Sequence, residues 1–146
     1  MFPDFKELFE LFNDHNVEYL VVGGYAVAFH GAPRYTGDID LYVRPTEENA
    51  RKITASLNEF GFGDVGLNES DFCVADQVIQ LGYAPIRIDL ITSIDGVSWD
   101  QANATAVGGS YDDIPIQFIG IDELIANKRA TGRQKDLADL EALGGE

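Results

Sequence analysis

Cysteine is nearly absent from this sequence. Cys73 is the only one in 146 residues, which rules out an internal disulfide and a multi-cysteine metal cage. It reads as a small buried hydrophobe in a strand. Histidine is almost as scarce. His15 and His30 lack metal-ligand spacing and read as structural. No apolar run is long enough to cross a bilayer, since the longest, from Tyr19 to Phe29, is broken by Gly23-Gly24. Met1-Phe2-Pro3-Asp4 has neither the basic start nor the apolar run of a signal peptide, so a cytoplasmic protein with no membrane partner is expected. Positive charge is the largest deficit. Ten Lys and Arg face 25 Asp and Glu, for a net charge of −15. Such a surface repels polyanions at long range and argues against non-specific DNA or RNA binding. It leaves room for a small nucleotide, whose charge metal ions can meet locally.

What is present suits one ordinary globular domain over residues 1–146, with 45% apolar residues. Phe5, Leu8, Phe9 and Phe12 recur at helical spacing, which predicts a helix over 4–14. Residues 19–22 read as a buried strand, 25–30 as a short helix stopped by Gly31, and 33–37 as loop. Residues 38–43 alternate like a strand, and Pro45-Thr46 opens a helix carrying Ala50, Ile53, Leu57 and Phe60. Strands are expected over 72–81 and 86–92, with a turn at 82–85 between them. A short helix at 98–104, a strand at 114–119 and helices at 121–131 and 134–143 complete the series. This order predicts an α/β (α+β) domain with a mixed sheet and flanking helices.

The strand Asp38-Ile39-Asp40-Leu41-Tyr42-Val43 places Asp38, Asp40 and Tyr42 on one face, with Ile39, Leu41 and Val43 on the other. Two aspartates on one face repel unless a cation lies between them, and hard divalent ions take carboxylate oxygens. In Ile86-Arg87-Ile88-Asp89-Leu90-Ile91, Ile86, Ile88 and Leu90 form an inward stripe, and Asp89 lies opposite, beside Arg87. If the two strands are neighbours, the three carboxylates can hold one or two Mg²⁺ or Mn²⁺ ions. Such ions clamp an in-line phosphoryl displacement, with Asp89 left to accept the proton of an attacking hydroxyl. Taken singly, an Asp-x-Asp pair is equally a solvated strand edge.

Gly23-Gly24, between a strand and a helix, offers backbone N–H groups to a phosphate, or else makes a plain tight turn. Arg34 and Thr36, just before Asp38, either contact phosphate or base or brace their loop. Lys128, Arg129, Arg133 and Lys135 are four of the ten basic residues and fall within eight positions. Lys128 continues the inward stripe of Ile121, Leu124 and Ile125, so it must meet an anion: Asp136, Asp139 or a triphosphate. Arg133 and Lys135 suit surface roles. Trp99 and the phenylalanines suit the core.

Gly23-Gly24, thirteen intervening residues and Asp38-Ile39-Asp40, followed by Asp89 in Arg-Ile-Asp-Leu-Ile, resemble the signature of the polymerase-β-like nucleotidyltransferase superfamily. The full string from Gly23 to Asp40, with Asp122 to Lys128 and Gly132 to Leu140, resembles its small bacterial branch related to AbiEii-type toxins. The likeness runs from about residue 17 to 143. It departs where the family often has serine after its glycine and this chain has Gly24. The resemblance implies a nucleotidyltransferase-like core, metal ligands at Asp38, Asp40 and Asp89, phosphate contact near Gly23 and Gly24, and a supporting role for Lys128. Members transfer a nucleoside monophosphate from an NTP to a hydroxyl on RNA, protein or a small molecule. The implied biology is a toxin–antitoxin or phage-defence component with an antitoxin or other partner protein. The competing expectation is a non-catalytic nucleotide- and metal-binding regulator.

Overall fold

Four apolar side chains on one stripe, Phe5, Leu8, Phe9 and Phe12, make the first helix, α1 (Pro3–Asp14), bury its face completely. The structure is a computed structural model and describes residues 3–31, 38–61, 68–83 and 86–144. The chain continues through β1 (Tyr19–Val22), α2 (Gly23–Phe29), β2 (Asp38–Val43) and α3 (Glu47–Phe60). A 3₁₀ turn at Glu69–Phe72 precedes β3 (Val78–Tyr83) and β4 (Ile86–Ile91). Then come α4 (Trp99–Ala104), β5 (Val107–Tyr111), β6 (Ile114–Phe118), α5 (Ile121–Thr131) and α6 (Gln134–Ala142).

The strands form one mixed sheet in the order β3-β4-β2-β1-β6-β5. β1 is antiparallel to β2 and parallel to β6, while β2 and β4 run parallel. The parity expected for β2 holds: Ile39, Leu41 and Val43 are fully buried. Together with Ile88 and Leu90 of β4 they belong to the same core as α1 and the Ala50, Ile53 and Leu57 stripe of α3. Thr46 caps α3 by accepting from the Asn49 N–H, and Gly61 ends it with a left-handed φ of 102°. Among the described residues no helix is long and apolar enough to cross a membrane.

Two expectations need correction. Residues 72–77 are not strand. Asn68 and Asp71 close a capping box around the 3₁₀ turn, and Asp76 takes a positive φ of 64° with its N–H bonded to Ser93 Oγ. These local polar bonds outcompete the ladder, so β3 begins only at Val78 and runs on through Gly82. Cys73 therefore lies half-buried after that turn and not inside a strand. The second correction is β5, which sequence periodicity did not reveal because Gly108 and Gly109 interrupt it. Gly109 is required there, since a Cβ would strike the rings of Phe118 and Phe29. The β5–β6 hairpin turns on Asp112 and Asp113, both at positive φ, a two-residue turn without the usual glycine.

Candidate active site

The parallel register of β2 and β4 sets Asp40 directly beside Asp89 and Asp38 beside Arg87. Partners in register share a face, so the three carboxylates meet at one patch of the sheet. The Asp40 carboxyl is pushed up to about 6, first by burial, then by the charge of Asp89 and a hydrogen bond shared with it, and by Asp38. The charge of Lys135 opposes that rise. Asp89 is buried. It accepts from Arg87 at two points, Nε at 3.2 Å and Nη2 at 2.8 Å. The same guanidinium places Nη1 3.7 Å from Asp38 Oδ2.

Gly23 directly follows Val22, the last residue of β1 and the one that pairs with Asp40 across the antiparallel β1–β2 ladder. Its φ is 68°, and a Cβ there would collide with the Asp40 carboxylate. The glycine thus makes room for a side chain of the protein itself. It also begins α2, whose cap residue Val22 offers no side-chain bond to the first N–H groups.

A cleft of about 520 Å³ opens over the carboxylates. Its floor is Gly23, Gly24 and the β2 and β4 aspartates, and its far wall is the α5–α6 junction. Arg87, Lys128, Arg133 and Lys135, four of the chain's ten cations, line it. Lys128, 6% exposed, is engaged by Asp136 at 3.1 Å and Asp139 at 3.0 Å. Of the anions open to it in sequence, the two carboxylates hold it here. Burial raises the Asp136 carboxyl, but hydrogen bonds from Arg133, Thr131 and Lys128 outweigh that and hold it well below the usual range. Arg133 makes this contact as a fork, at 2.6 and 3.1 Å. Arg133 and Lys135 are exposed, as their sequence suggests, yet both face the cleft. Sequence reading passed over that placement, for which the clustering of four cations was the available signal. Among the described residues Lys135 has no carboxylate within ion-pairing distance.

Arg34 and Thr36 lie outside the described residues. His30 Nε2 meets the Ile119 carbonyl at 2.7 Å and His15 meets Glu59 at 3.0 Å, both structural contacts. Trp99 packs edge-on against Tyr42 in the core.

The donor set at the carboxylates is oxygen only, which suits a hard divalent cation. As the side chains stand, no three Asp, Glu, His or Cys groups among the described residues are already arranged to hold a metal ion. The bidentate hold of Arg87 turns Asp89 toward the guanidinium. Asp38 and Asp40 on β2 and Asp89 on β4 are the residues that would hold such an ion.

A family model for aminoglycoside-2''-adenylyltransferase matches residues 4–118. No curated protein matches the chain in sequence. Among solved structures, a candidate nucleotidyltransferase from Thermotoga maritima superposes with TM-score 0.62 at 15% identity, over 94% of this chain and 88% of that one. The lincosamide antibiotic adenylyltransferase LnuA, with lincomycin bound, gives 0.58 at 14% identity over 99% and 96%. ANT(2'')-Ia in complex with adenylyl-2''-tobramycin gives 0.59 at 12% identity over 95% and 84%. The six-stranded mixed sheet with its flanking helices is therefore a nucleotidyltransferase fold, and the chain belongs to the aminoglycoside-2''-adenylyltransferase family.

Proposed function

We infer that this chain transfers a nucleoside monophosphate from an NTP to a hydroxyl acceptor, using Mg²⁺ or Mn²⁺ held by Asp38, Asp40 and Asp89. The observation that carries this reading is the register of Asp40 with Asp89, a half-buried and a buried carboxylate set side by side at the floor of a cation-lined cleft. A divalent cation bound there supplies the positive charge that stabilises the phosphoryl group during in-line displacement. The protein's own groups do the rest. Gly23 and Gly24 bring backbone N–H groups at the start of α2 to the phosphates. Lys135 and Arg133 approach the triphosphate from the opposite wall, and Arg34 and Thr36, just before Asp38 in the sequence, are proposed as further phosphate or base contacts. Lys128 supports them by anchoring the α5–α6 junction through Asp136 and Asp139. Asp89 accepts the proton of the acceptor hydroxyl as its oxygen bonds to the α-phosphorus and pyrophosphate departs.

The acceptor is best supported as a small hydroxylated molecule. The family is named for aminoglycosides, and two solved neighbours were captured with antibiotics or their adenylylated product. A net charge of −15 favours a cationic acceptor over RNA. The chain is taken as one nucleotidyltransferase-like domain working in the cytoplasm. The test is direct: incubate the protein with α-labelled NTPs, Mg²⁺ and separate pools of aminoglycosides, RNA and protein. Label is expected on the small-molecule pool, and label on RNA or protein would reassign the acceptor. The AbiEii-type likeness adds a toxin role, read as growth arrest on expression that a neighbouring gene relieves.

One observation favours a second reading, a non-catalytic nucleotide- and metal-binding regulator. Arg87 already neutralises Asp89. NTP binding without transfer to any acceptor under Mg²⁺ or Mn²⁺ would select it.

A further inference from the structure

Arg87 is a charged side chain of the cleft that nucleotidyl transfer leaves without a task. Its place is unusual. The β2–β4 register makes a square of four charged residues, with Asp38 beside Arg87 and Asp40 beside Asp89. Three corners are acidic and the fourth is a guanidinium, whose fork grips Asp89 at 2.8 and 3.2 Å while its remaining nitrogen reaches 3.7 Å from Asp38. Asp89 is only 9% exposed at its side chain, so its charge needs this partner in the metal-free protein. Arg87 itself is 36% exposed and already lines the cleft.

A guanidinium stays charged at any working pH, so it can be moved but not titrated away. It lies against Asp89 and near Asp38, two of the carboxylates assigned above to the ion. The absence of a ready three-ligand arrangement among the described residues fits that placement.

We propose that Arg87 is a built-in counter-ion that holds Asp89 in the metal-free protein and is displaced when a divalent cation enters. The inference rests on the metal role assigned above to the three aspartates. It makes Arg87 a positioning residue for Asp89. Metal entry then exchanges one cation for another, so free metal binds more weakly than three bare carboxylates would allow. The displaced fork remains in the cleft, where phosphate oxygens are its natural next partners.

The test is Mn²⁺ binding without nucleotide, read by electron paramagnetic resonance of the free ion, with melting temperature measured alongside. The proteins are wild type, Arg87→Gln and Arg87→Lys. Displacement predicts that Arg87→Gln binds Mn²⁺ on the order of tenfold more tightly, the screened repulsion of a charge about 5 Å away. Arg87→Lys, which keeps the charge but loses the fork, falls between. Mn²⁺ should also raise Tm more in Arg87→Gln than in wild type. Equal or weaker binding by Arg87→Gln overturns the proposal and makes Arg87 a strut that holds Asp89 ready for the ion. If Arg87→Gln does not fold, Arg87→Lys decides, with binding no tighter than wild type counting against displacement. Mn²⁺ bound by none of the three proteins removes the metal role itself, a different failure from wild type binding as tightly as the variants.

Discussion

Asp40 is where the electrostatic strain of the site is concentrated. Its carboxyl is raised to about 6, against an ordinary value of 3.8, so the folded metal-free protein binds that proton more tightly than the unfolded chain. Linkage then gives the sign. Below the unfolded value both states carry the proton and there is no effect, the cost to folding builds as pH rises from 3.8 to about 6, and above that it stays at its full size. Asp40→Asn should therefore stabilise the metal-free protein at pH 8 by roughly 2–3 kcal/mol at most, from about 1.4 kcal/mol per unit, while abolishing transfer. Thermal melts at about pH 3.5 and pH 8 check this, with the gain expected in full at pH 8 and nearly absent below the unfolded value of 3.8. Gly23→Ala should act in the opposite sense, costing on the order of 1–3 kcal/mol through its positive φ and the collision with Asp40. A Gly23→Ala melt matching wild type would contradict that close approach. At this scale the sequence was informative. Period-two alternation alone put Asp38 and Asp40 on one face and Asp89 on the outward face of its own strand. The Arg87 fork was not legible, because rotamer and register decide between a partner and a neighbour.

The α5–α6 junction is an element held by charge. Lys128 is buried between Asp136 and Asp139, and Asp136 is gripped in turn by Arg133 and Thr131. Asp136→Asn would leave a buried ammonium short of its partner, a loss of about 3–5 kcal/mol, and should melt the C-terminal helices before the sheet in hydrogen exchange. Uniform loss of protection would instead show the two parts unfold together. The Asp136 carboxyl is held below its ordinary value, so its contribution is complete above about pH 4–5 and fades as pH falls through the unfolded value toward the folded one. Among the elements, helices with unbroken apolar periods, such as α1 and α3, were legible to within a few residues. The errors fell where local polar bonds or glycine overrode the period. The Asn68 and Asp71 box took 72–77 out of the strand, and Gly108 and Gly109 hid β5. The cleft face of Lys135 was also hidden, since it depends on how α6 meets the sheet and not on any pattern within α6.

The whole molecule is strongly acidic, with four of its ten cations gathered at one cleft. That distribution repels long nucleic acids while concentrating positive charge where a triphosphate would lie. Duplex DNA should therefore show no retardation at about 0.15 M salt, where non-specific binding to a basic surface would still persist. Retardation would mean that the cleft cations outweigh the acidic exterior. The measurement that bears most directly on the account is calorimetric titration of NTP into wild type and into the Asp38→Asn, Asp40→Asn double variant, each with Mg²⁺ and with chelator. Wild type with Mg²⁺ should bind, while chelator or the double substitution should remove binding in a protein that remains folded. Equal NTP affinity in all four titrations would contradict the carboxylate site at its root.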